Sequence, residues 1–92
     1  MLTIRRTTQF KRDFKRIVKQ GIDIKPLVEI IEKLSREEVL DEKFCDHPLK
    51  GHWLGFRECH IKSDWLLIYL INKDELILTL SRTGRHSDLF QM

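Results

Sequence analysis

The 92-residue sequence predicts a single α+β domain, residues 1–92, with two amino-terminal helices packed on an antiparallel sheet in the order β-α-α-β-β-β. Three observations predict it. Apolar residues recur with helical period between Phe10 and Leu34, and strand-like apolar segments follow from Phe56 to Ser81. The length leaves room for one core, so helices and strands must share it.

Leu2-Thr3-Ile4 alternates apolar and polar residues and reads as a short first strand. Thr7 or Thr8 caps a helix whose apolar face is Phe10, Phe14, Ile17 and Val18, spaced i, i+4, i+7 and i+8. Gly21 stops it. Asp23 caps a second helix that tolerates Pro26 in its first turn, buries Leu27, Val28, Ile31 and Leu34, and ends at Ser35. Residues 36–50 are acidic and aperiodic, which predicts a long loop with a helical turn around Val39 and Leu40. Beyond it, Arg57, Cys59 and Ile61 share one face of a strand, and Phe56, Glu58 and His60 the other. Trp65 to Ile71 is apolar on both faces, the signature of a central strand. Asn72-Lys73-Asp74 turns the chain into a returning strand, Glu75 to Ser81.

Hydrophobic residues at 41% supply a modest core, and 34% charged residues exclude a membrane protein. No apolar run approaches the roughly 20 residues of a membrane span, and the amino terminus lacks a signal core. The expected location is therefore the cytoplasm, where Cys45 and Cys59 stay reduced. Net charge is +3, unevenly spread: residues 1–35 hold nine Lys/Arg against four Asp/Glu. Lys11, Arg12, Lys15, Arg16 and Lys19 give the first helix a basic surface able to meet a polyanion, although such a face is often simply solvated.

Groups able to do chemistry gather in the second half. His60 lies on the strand face opposite Cys59 and Ile61, Asp64 opens the next strand, Arg82 ends the last, and His86 follows four residues later. Antiparallel pairing brings the His60 and Arg82 regions together over the central strand. Imidazoles exchange protons near neutrality. A guanidinium holds phosphate with a permanent, forked charge. RNA carries its own nucleophile, so a base for the 2′-hydroxyl, an acid for the leaving 5′-oxygen and a fixed cation suffice without a metal. Taken singly, each residue has an ordinary explanation: a surface histidine, a rim salt bridge for Arg82, a turn cap for Asp64, core packing for Trp53 and Trp65. Together they point to a metal-independent ribonuclease with no cofactor. The rival is metal binding by Cys45, His47, His52, Cys59 and His60. It lacks any Cys-x-x-Cys or His-Glu-x-x-His spacing, and Cys59 and His60 face opposite sides of one strand.

Asp46-His47-Pro48-Leu49-Lys50-Gly51, Trp53, Gly55-Phe56-Arg57, His60, Asp64-Trp65-Leu66-Leu67-Ile68-Tyr69, Arg82-Thr83-Gly84, His86 and Leu89-Phe90 resemble the YafQ-type branch of the RelE/ParE toxin superfamily. The resemblance implies a RelE-like fold and a bacterial type II toxin. Such a toxin cleaves messenger RNA on the ribosome without metal and is neutralised by a cognate antitoxin in a hetero-oligomer. It places the family's active-site histidines on His47, His60 and His86, its acid on Asp64 and its phosphate-binding arginine on Arg82, with Trp65 and Phe90 as supporting aromatics. His52 and Arg85 fall outside the motif. The roles expected are His86 as general acid, Arg82 as transition-state cation, His60 with Asp64 as base and orienting partner, and His47 as an aid to either. Lys11, Arg12, Lys15 and Arg16 are expected to grip RNA. The same superfamily holds gyrase-directed toxins without these histidines, so a non-catalytic ParE-like or nucleic-acid-binding module is the alternative.

Overall fold

The computed structural model describes residues 1–90. Strand β1 (Thr3–Arg6) leads into helices α1 (Thr8–Lys19) and α2 (Lys25–Ser35). A short two-residue strand β2 (His47–Pro48) precedes β3 (Arg57–Lys62), β4 (Trp65–Asn72) and β5 (Ile77–Gly84), and a one-turn helix α3 (His86–Phe90) ends the described residues. The α+β class is that expected, and the β-α-α-β-β-β elements occur in the expected order, but β2 and α3 are additions that the sequence did not predict. The sheet runs β1-β5-β4-β3-β2; β2 to β5 are antiparallel, while β1 pairs parallel to β5 and makes the sheet mixed.

Thr7 caps α1, its side chain accepting from Phe10 N–H, an interaction generally worth about 1 kcal/mol. Gly21, at φ 75°, takes the left-handed conformation that ends the helix. The apolar stripes hold with shifts of register. Phe10 and Ile17 are buried while Val18 is about half exposed, and on α2 Ile30 is buried where Val28 was expected. Asp23 accepts from Lys25 N–H beside the helix start, but Ile24 is the capping residue. The helical turn expected at Val39 and Leu40 forms instead at Glu42–Phe44, where Asp41 caps it. Val39 stands in solvent and Leu40 is buried. The acidic caps of residues 41–42 decide that position better than the apolar pair does.

Alternation on β4 splits the core in two. Trp65, Leu67 and Tyr69 face the helices with Cys59, Ile61, Leu78 and Leu80. Leu66 and Ile68 face the other way, buried under Leu89 of α3 and the partly buried Leu49, Trp53, Phe56 and Phe90. That second face carries the polar groups of interest. No helix of the described residues is long and apolar enough to cross a membrane.

Candidate active site

The site is built outward from β3. Residues two apart on a strand share a face, and Glu58 and His60 therefore stand side by side. Glu58 is almost wholly buried, and His60 Nε2 lies 3.3 Å from its Oε1. Across the ladder β2 sets His47 opposite Glu58, and His47 Nε2 comes within 3.8 Å of the same oxygen. The two imidazole rings are 6.4 Å apart. One buried carboxylate thus receives two half-exposed imidazoles.

The segment carrying His47 is held from behind. Cys45 adopts a left-handed conformation (φ 50°), which turns the chain into β2. Asp46 Oδ1 accepts from Tyr69 Oη at 2.6 Å and from Arg57 Nε at 3.2 Å. Burial pushes the Tyr69 phenol up, and its hydrogen bond to Asp46 adds to the shift, so it remains a donor. The backbone carbonyl of Cys45 lies 2.6 Å from His47 Nδ1 and can only accept. The proton therefore sits on Nδ1, and Nε2 is the nitrogen turned towards Glu58.

Register extends this group across the sheet. His47 pairs with Glu58, Glu58 with Ile68, and Ile68 with Arg82, one row over four strands. β3 and β5 are two strand spacings apart, about 10 Å between Cα atoms. Ser81 has no partner on β4, which makes a bulge next to Arg82. The Arg82 guanidinium does not lie free over the row. Its Nε and Nη2 donate to Asp13 of α1 at 2.7 and 3.1 Å, leaving Nη1 without a protein partner among the described residues.

The other expected residues are placed as follows. His86 is exposed at the start of α3, its ring 4.7 Å from that of Phe90, which meets Trp53 edge-on. No contact joins His86 to His47, Glu58 or His60. Asp64 is exposed on the β3–β4 turn and is not the carboxylate beside His60; that place belongs to Glu58. Asp64 instead lines a separate cleft of about 430 Å³ with Arg16, Lys62, Trp65, Gly84 and Arg85. Trp65 is buried and donates to Thr83 Oγ1 at 3.0 Å, so its indole serves the core at the cleft wall. Lys11, Arg12, Lys15 and Lys19 are exposed on α1, whereas Arg16 turns inward towards Asp13. A second cleft of about 480 Å³ adjoins His60, between Lys43, Phe44 and Lys62.

Two acids escaped the sequence reading. Glu58 carried a signal, its place two residues from His60 on the same strand face. Asp13 carried one too: an acid three residues after Phe10 and four before Ile17 sits inside the apolar stripe. Among the described residues, no three His, Cys, Asp or Glu groups stand placed to hold a metal ion.

Residues 2–91 match the family model described as the bacterial toxin of type II toxin–antitoxin systems, YafQ. The mRNA interferase toxin YafQ of Escherichia coli K12 is 35% identical over 83 residues, covering 89% of this chain and 88% of that protein. The crystal structure of a metal-bound toxin from Helicobacter pylori superposes with a TM-score of 0.92 at 49% identity, covering 98% of this chain and all of that one. In the crystal structure of the E. coli DinJ–YafQ complex, the matching chain gives a TM-score of 0.88 at 33% identity over 98% of this chain and 99% of its own length.

Proposed function

This chain belongs to the YafQ family of bacterial type II toxins, and on that premise we propose that it is an endoribonuclease that cuts messenger RNA on the ribosome. It would do so by attack of the 2′-hydroxyl on the adjacent phosphorus, without metal, and a cognate antitoxin would hold it inactive in a hetero-oligomer. The observation that carries the reading is the convergence of His47 and His60 on buried Glu58, in one register row with Arg82.

In this reading His60 removes the 2′-hydroxyl proton, and Glu58 takes the orienting role first assigned to Asp64. With its Nε2 beside Glu58, His60 takes the proton on Nδ1, and the imidazolium formed has a carboxylate already in place, as at the histidine of a serine-protease triad. The 2′-oxygen–phosphorus bond forms and the phosphorus–5′-oxygen bond breaks. Arg82, through Nη1, the nitrogen Asp13 does not hold, balances charge gathering on the phosphoryl oxygens. His86, at the start of the helix whose Leu89 packs on Leu66 and Ile68, returns a proton to the leaving 5′-oxygen. Acid and base groups of this kind each contribute about 10²–10⁴-fold. The exposed cations of α1 suit contact with ribosomal RNA, while the toxin in the DinJ–YafQ complex supports an antitoxin as partner.

The test is a purified translation reaction run with and without ribosomes engaged on the message. Cleavage at codon-phased positions only when ribosomes are engaged is the expected result. Cutting of free RNA at the same rate would reject ribosome dependence, and toxicity without any cleavage would reject the nuclease.

A further inference from the structure

Asp13 has no place in the chemistry above, yet it is fully buried in the core face of α1 between Phe10 and Ile17. An apolar residue there would extend the core, and a buried carboxylate is costly unless fully paired. Asp13 is paired on every side. Arg82 grips it side-on through Nε at 2.7 Å and Nη2 at 3.1 Å. Thr83 N–H donates to it at 3.2 Å, and Gln9 Nε2 at 3.3 Å. Arg16 Nη2 stands 3.4 Å away, near enough for charge pairing but not aligned as a hydrogen bond.

The location explains the cluster. β1 pairs with β5 only as far as Leu80, so the β5 edge beyond it has no neighbouring strand. Thr7 takes over at the start of α1, its N–H donating to Leu80 O and its hydroxyl to Ser81 O. Asp13 then receives the Thr83 N–H further along. The carboxylate thus closes the open strand edge and fixes the arginine that emerges beside it.

We propose that Asp13 is a positioning residue for Arg82 in the cleavage reaction, an inference that rests on the nuclease reading above. Side-on pairing uses Nε and one Nη2 hydrogen, so the guanidinium cannot turn about its long stem. Its Nη1, without a protein partner among the described residues, is left for a phosphoryl oxygen. Two guanidiniums on one carboxylate also leave the cluster with net positive charge beside the register row. A Cβ at Gly84 would lie 3.0 Å from Arg16 Nη2, so the second guanidinium packs closely against this glycine.

A double-mutant cycle tests it, read as single-turnover cleavage of a ribosome-bound message at saturating complex and normalised to folded protein by circular dichroism. Asp13→Asn should slow cleavage about 10–100-fold, the cost of a misplaced catalytic group, with half-saturation nearly unchanged. Added to Arg82→Ala, it should slow cleavage no further. Arg82→Lys keeps the charge and leaves α1 untouched, yet loses the two-point grip, so it should be nearly as slow as Arg82→Ala. That variant reads the proposal even if Asp13→Asn does not fold. Wild-type cleavage with additive losses, or an active Arg82→Lys protein, would overturn the positioning role alone. A wild-type protein that does not cut would overturn both readings.

Discussion

Glu58 Oε1 lies 3.3 Å from His60 Nε2 at the foot of the open sheet face, and the carboxylate is buried while the imidazole is partly exposed. This is the arrangement of a fixed charge behind a proton-transfer group, not of a surface ion pair, which would be worth little. Replacing Glu58 with Gln preserves shape and removes the charge. The single-turnover cleavage rate should fall about 10²–10⁴-fold, as for loss of an acid–base group, while Asp64→Asn should lose less than about one-tenth as much. Equal losses in the two variants would return the orienting role to Asp64.

His86 and Phe90 sit one helical turn apart, their rings 4.7 Å apart and tilted by 40°. His86→Ala should cost about 10²–10⁴-fold in rate if the imidazole protonates the leaving oxygen. A substrate with a 5′-thio leaving group, which needs no proton, should recover most of that loss. Phe90→Leu keeps the apolar contact under α3 and should cost far less. Failure of the thio substrate to rescue His86→Ala would move the acid to another group.

Lys11, Arg12, Lys15 and Lys19 have no ion-pair partner among the described residues. Replacing all four with Glu should weaken ribosome binding and flatten its dependence on salt, because fewer counterions are released. The rate of the bound complex should stay close to wild type. An unchanged salt slope, measured by co-sedimentation at several salt concentrations, would place the RNA contact elsewhere.

Burial raises the Cys59 thiol from 9.0 to about 12, helped by the negative charges of Asp46 and Glu58. The native thiol therefore keeps its proton over a range in which the unfolded one loses it. The stability it contributes is complete below about pH 9 and is lost as pH rises towards 12, on the order of 1 kcal/mol per unit. Tyr69 shifts in the same direction from 10.0. Urea midpoints should hold below pH 9 and fall above it, less steeply in Cys59→Ala. Exposed Cys45 should alkylate in the native protein and Cys59 only on unfolding. A midpoint that stays flat to alkaline pH would contradict this burial.

Much of the fold was legible because it rests on local periodicity: the stripe Phe10–Ile17, the two-faced run Trp65–Ile71 and the turn at Asn72 all declare themselves in sequence. The parallel pairing of β1 with β5 joins segments more than 70 residues apart, and nothing local encodes it. The strand faces placed Glu58 beside His60, yet motif position drew attention to Asp64, which sits beyond the register shift between His60 and Lys62. Asp13 stood out only as an acid in an apolar stripe. Its partner Arg82 is 69 residues away, so only the tertiary structure shows what the charge is for.

The most direct measurement is the chemistry of the cut ends in a ribosome-bound message, read by enzymatic end-labelling and mass spectrometry for wild type and Glu58→Gln. Attack by the 2′-hydroxyl predicts a 2′,3′-cyclic or 3′-phosphate upstream and a 5′-hydroxyl downstream, with both products nearly absent in the variant. A 3′-hydroxyl with a 5′-phosphate would mean that water, not the RNA, is the nucleophile, and would contradict the account.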